Sequence, residues 1–69
     1  MKCGFGKIFK ELRSEKGLTQ TEIGTVFNVA FNTISSWERD NSEPSFEELK
    51  SIAEFFGVTA DYLLGREEL

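Results

Sequence analysis

Apolar residues recur along this chain at three- and four-residue intervals, in stretches bounded by residues suited to helix ends. Phe5, Ile8, Phe9 and Leu12, with Lys7, Lys10, Glu11 and Arg13 between them, predict an amphipathic helix that stops at Gly17. Thr19-Gln20-Thr21-Glu22 has the form of a capping box and opens a second helix, with Ile23 and Phe27 on its buried side. Asn28 tolerates a left-handed backbone and ends it. From about Phe31, Ile34 and Trp37 give a third helix one apolar face, while Asn32, Thr33, Ser35 and Ser36 are small and polar. Ala30 offers no side-chain cap, a loss of about 1 kcal/mol, and this leaves open a later start capped by Asn32. Residues 40–44 are a loop by composition, and Ser45-Phe46-Glu47-Glu48 is a second capping box. A fourth helix buries Leu49, Ile52, Ala53 and Phe56 and ends at Gly57. Thr59 caps a short fifth helix carrying Leu63 and Leu64 and closed by Gly65. The expected fold is all-α, five helices in one domain over residues 1–69, with no strand pattern, repeat or low-complexity linker.

At 69 residues such a domain has one small core, so a second subunit would add useful stability. Hydrophobic residues are 39% and charged residues 29%, as in ordinary folded domains. There is no histidine, and Cys3 is the sole cysteine, which excludes an internal disulfide, a zinc finger and imidazole catalysis and makes Cys3 incidental. Glu47 and Glu48 resemble a carboxylate pair, yet acids in a first helical turn are what the helix dipole favours. No catalytic site, metal or cofactor is expected. Neither a membrane-length apolar run nor a signal-peptide pattern is present, so the expected location is cytoplasmic. The net charge of −4 argues against indiscriminate binding to a polyanion. It is unevenly spread: residues 1–39 hold six Lys/Arg against four Glu, and residues 40–69 hold two against eight Asp/Glu.

Residues 19–39 meet the demands of a helix-turn-helix. Gly24 is small where the third helix crosses closely, Asn28 and Val29 supply a turn and its apolar anchor, and Ile34 and Trp37 anchor the third helix. Gly17-Leu18-Thr19-Gln20, Ile23-Gly24, Phe27-Asn28-Val29, Thr33-Ile34-Ser35 and Trp37-Glu38-Arg39 resemble the Cro and phage-repressor type of helix-turn-helix, the Xre family. Glu43-Pro44-Ser45, Phe56-Gly57-Val58, Asp61 and Leu63-Leu64-Gly65 continue the likeness, which spans about residues 8–65.

The resemblance implies a bacterial or phage-encoded, nucleoid-associated regulator, most simply a repressor, that binds a palindromic DNA operator as a homodimer with the third helix in the major groove. Carried onto this sequence, it implies that Phe31, Asn32 and Ser36 face base edges. Gln20, Thr33, Arg39 and Asn41 would meet the phosphate backbone, with Lys7, Lys10 and Lys16 as further cations. Arg13 and Glu38 would form a structural ion pair. Ala60 and Tyr62 would lie in the dimer interface, extended by Phe55 and the tail ending in Leu69. The sequence departs from the family in Ala30, in Phe31 and Ser36, where charged or polar groups are common, and in the loop Asp40-Asn41-Ser42-Glu43, whose two acids would repel phosphate. The rival reading is a protein-interaction module on the same fold, an antirepressor or complex subunit. A negative face around Gln20, Asn32 and Ser36 would favour it.

Overall fold

The computed structural model describes residues 4–66, so Cys3 and the tail ending in Leu69 lie outside the described residues. Five helices follow in order: α1 (Phe5–Glu15), α2 (Gln20–Phe27), α3 (Phe31–Glu38), α4 (Phe46–Phe56) and α5 (Ala60–Leu63). There is no strand among the described residues.

Three helices start on the side chain of their own N-cap residue. Thr19 Oγ1 accepts from the Glu22 amide at 3.1 Å while Glu22 accepts from the Thr19 amide at 2.8 Å. Ser45 and Glu48 repeat this reciprocal pair at the head of α4, and the Thr59 hydroxyl accepts from the Tyr62 amide at 3.0 Å. Helix α3 lacks such a cap and still begins at Phe31, which decides between the two starts left open by Ala30. Ala30 takes extended backbone and its carbonyl accepts from the Thr33 and Ile34 amides at 3.0 and 3.3 Å. Buried Ile34 and Trp37 hold the helix from its other side, so tertiary packing replaces the missing cap. Asn32 is thus an exposed residue of the first turn and caps nothing.

Helices α1 to α4 end alike, on a residue of left-handed backbone that closes two bonds onto the last turn. At the end of α2 the Val29 amide donates to Gly24 at 2.8 Å and the Asn28 amide to Thr25 at 3.3 Å. At the end of α3 the left-handed residue is Asp40, at φ 58°, with Asn41 donating to Ser36 at 2.9 Å.

Phe9 is fully buried at the centre of the core. Its ring meets Trp37 at 5.8 Å and Phe56 at 5.9 Å edge-on, and stacks on Phe5 at 5.7 Å. Ile23, Ile34, Ile52 and Leu63 complete the core, so each of the five helices contributes a fully or nearly fully buried side chain. Helix α1 reaches α3 by a close backbone approach: a Cβ on Gly6 would lie 2.5 Å from the Glu38 carbonyl oxygen and 2.7 Å from that of Trp37. Neither oxygen can swing aside without unwinding α3. The same approach brings the Gly6 amide to Asp40 Oδ1 at 3.1 Å, so α1 is capped by a side chain 34 positions away.

Gly6→Ala should therefore cost about 2 kcal/mol or more of stability by urea denaturation, despite alanine's better helix propensity. A change below about 0.5 kcal/mol would mean that α1 can shift off α3 freely.

Candidate nucleic-acid interface

The geometry of α2 against α3 is set first by the turn between them. A Cβ on Gly24 would fall 2.6 Å from the Val29 carbonyl oxygen, with Ile34 Cγ1 at 3.6 Å. The need for a small residue comes mainly from the turn's own backbone, and only secondarily from the crossing of α3 that the sequence suggested.

A polar network then ties both helices to α1. Arg13 Nε donates to Glu38 Oε2 at 2.6 Å and Arg13 Nη2 to Glu38 Oε1 at 3.1 Å, while Nη1 donates to the Leu18 carbonyl at 2.7 Å. The two side chains are only 13% and 4% exposed. This two-pronged geometry holds the end of α3 against α1 and the approach to α2. Gln20 joins it, its Nε2 donating to Glu38 Oε1 at 3.0 Å. Gln20, expected at a phosphate, thus has one amide hydrogen directed inward, and its second remains for an outside acceptor.

On the outer side, Phe31 is 58% exposed and Asn32 is exposed beside it in the first turn of α3. Ser36 follows one turn after Asn32 and is half-buried, its Oγ 2.7 Å from Ser42 Oγ in the following loop. Thr33 is half-buried, and Arg39 and Asn41 are exposed past the C-terminus of α3. Asn32 and Ser36 therefore share one helix face, with Phe31 beside Asn32 in the first turn. Ala60, exposed, and Tyr62, half-buried, stand apart on α5.

Of the two loop acids expected to repel phosphate, Glu43 is exposed and Asp40 is turned back to α1. Within residues 19–39 the charged side chains are Glu22, Glu38 and Arg39. Glu22 is committed to its capping box and Glu38 to Arg13 and Gln20, which leaves Arg39 exposed. Asp40, expected to repel phosphate, is half-buried with its carboxylate on the Gly6 amide, because its left-handed backbone turns the side chain back to α1. Lys16, expected as a further cation, has its Nζ 5.3 Å over the Phe55 ring. The Ser36–Ser42 and Gly6–Asp40 contacts have no local signal in the sequence. Each depends on a turn whose left-handed residue is an aspartate, where glycine is the usual signal.

Glu38→Gln should lower stability by about 3 kcal/mol, since Arg13 would keep its charge in a nearly closed site without a counter-ion. In urea denaturation the Arg13→Met, Glu38→Leu double variant should be less destabilised than the two single changes summed. Additive losses under about 1 kcal/mol each would show a pair of surface character.

Comparison with known proteins follows the same lines. A family model described as helix-turn-helix matches residues 9–63. The chain is 38% identical over 64 residues to the HTH-type transcriptional regulator ImmR of Bacillus subtilis (strain 168), covering 93% of this chain and 50% of that protein. It is 42% identical over 65 residues to the HTH-type transcriptional activator BcrR of Enterococcus faecalis, covering 94% of this chain and 32% of that protein. The immunity repressor protein of Bacillus phage phi105 is 30% identical over 64 residues, with 93% and 44% covered. The chain thus spans half or less of the length of these curated relatives.

Proposed function

This chain belongs to the helix-turn-helix family typified by such regulators, of Cro and phage-repressor type, and on that premise we propose that it is a sequence-specific DNA-binding regulator of transcription, acting as a repressor. One observation supports this use of the fold most directly. The outer face of the motif presents Phe31 and Asn32 on a helix whose own acid, Glu38, is paired with Arg13, and Arg39 stands exposed at its end. A negative face would favour the protein-interaction module, and the pairing of Glu38 with Arg13 removes one acid from that balance.

In the proposed complex α3 enters the major groove by its N-terminal half. The Asn32 amide offers a donor and an acceptor to one adenine edge, and the Phe31 ring covers a thymine methyl. Ser36 adds a hydroxyl one turn on. Gln20 donates its outer amide hydrogen to phosphate beside the amino end of α2, whose dipole favours an anion. Thr33, Arg39 and Asn41 flank the groove as further backbone contacts. Two protomers related by a two-fold axis, with Ala60 and Tyr62 near it, would place their recognition helices in successive grooves about 34 Å apart. Dimerisation also adds stability to a small core. No cofactor, metal or catalytic step enters this reading, and the site of action is the bacterial cytoplasm.

Selection of binding sites from random duplex DNA should yield a palindromic sequence, and absence of any enrichment would refute DNA recognition. On the selected site, Asn32→Ala should cost about 1–3 kcal/mol and relax preference at one base pair per half-site. Gln20→Ala should weaken all sequences alike; identical behaviour of the two variants would undo this division of roles. With so few cations at the face the salt dependence should be shallow, and Arg39→Ala should reduce the slope of log K against log salt by about one per protomer.

A further inference from the structure

Phe46 is 81% exposed, more than any other large hydrophobic side chain among the described residues, and the DNA-facing surface gives it no role. It sits in the first turn of α4 at an apolar groove of about 360 Å³, lined also by Leu49, Ala53 and Val58, with Lys50 and Glu54 on the same wall. One surface thus carries a projecting ring, a groove able to receive a ring, and one charge of each sign. No ion pair holds Lys50 or Glu54 within the described chain. Their order along the helix, lysine before glutamate, is also the weaker one for pairing at four-residue spacing.

We propose that this groove is where a second copy of the chain docks, with the two α4 helices antiparallel across a two-fold axis at the level of residue 52. A two-fold interface brings a surface against itself, so each feature must meet its complement in one register. Here a single register serves both. It sets residue 50 opposite 54, giving two Lys50–Glu54 pairs across the axis about 3 Å along the helix to either side of it. It also carries residue 46, about 9 Å from the axis, to the end of the other copy's α4, where Gly57 stops the helix and Val58 borders the groove that Phe46 enters. A parallel arrangement would instead oppose like charges. Ala60 borders the same groove, which joins this contact to the surface near α5. The proposal rests on the dimer reading given above and moves the energetic centre of the interface from Tyr62 to Phe46, a desolvated aromatic in a pocket.

Sedimentation equilibrium of the whole chain without DNA, over a wide concentration range at low salt, tests it. The unaltered chain should pass from monomer to dimer. Phe46→Asp should raise the dimer Kd by about tenfold or more with an unchanged helical circular dichroism spectrum, as expected for a side chain this exposed. Lys50→Glu and Glu54→Lys should each raise Kd about fivefold, and combining them should return it to within about twofold of the original. A chain that stays monomeric overturns the proposal and the dimer reading together. A dimer indifferent to Phe46→Asp, or a double reversal no tighter than the single ones, overturns this contact alone. Because DNA is absent, failure of operator recognition is read separately.

Discussion

The Arg13–Glu38 ion pair is the constraint on which the disposition of the helix-turn-helix depends. Burial of Phe9, Ile34 and Trp37 drives α3 onto the body of the protein, but apolar burial is non-directional and permits sliding and rotation. The fork of Arg13 fixes the angle. It grips both oxygens of Glu38 at the end of α3 and the Leu18 carbonyl at the approach to α2. Glu38 also receives Gln20 from the first turn of α2, so one carboxylate locates three helices. The outer face of α3 is aimed by that carboxylate from behind.

Several acids of this acidic protein are engaged in local structural bonds. Glu22 and Glu48 satisfy helix amides, Glu38 neutralises a guanidinium, and Asp40 satisfies an amide of α1. Net charge therefore says little about the potential at any one patch. The excess of acid in residues 40–69 belongs to α4, α5 and the loops before them, with Glu47 and Glu48 beside Asn28 of the α2–α3 turn.

Much of the architecture was legible because local chemistry and tertiary packing agree. Thr19, Ser45 and Thr59 announce helix starts by hydroxyls, and Asn28 and Gly57 announce ends by their tolerance of a left-handed backbone. The start of α3 could not be read in this way. Ala30 carries no cap signal, and the helix is held by Ile34 and Trp37 from a distance that composition does not encode. Of the candidate site, the outward placement of Phe31 and Asn32 was legible through the family resemblance, while helical spacing left Asn32 open as a cap. The inward commitment of Gln20, the pairing of Ser36 with Ser42 and the diversion of Lys16 onto Phe55 arise only once separate elements meet. Gly6 reads in sequence as a mild helix weakener, whereas in the fold its missing side chain admits the carbonyls of α3.

Asp40 limits how this domain could evolve tighter contact with a polyanion. The loop after α3 is the natural place to gain a cation, and a lysine or glycine at position 40 would be the shortest route. Either change strips the Gly6 amide of its acceptor and leaves the start of α1 without a side-chain cap, since Gly4 supplies none. Affinity and foldedness are thus opposed at a single residue. Adaptive change would be steered to neighbours such as Asn41, which is exposed and whose side chain closes no helix.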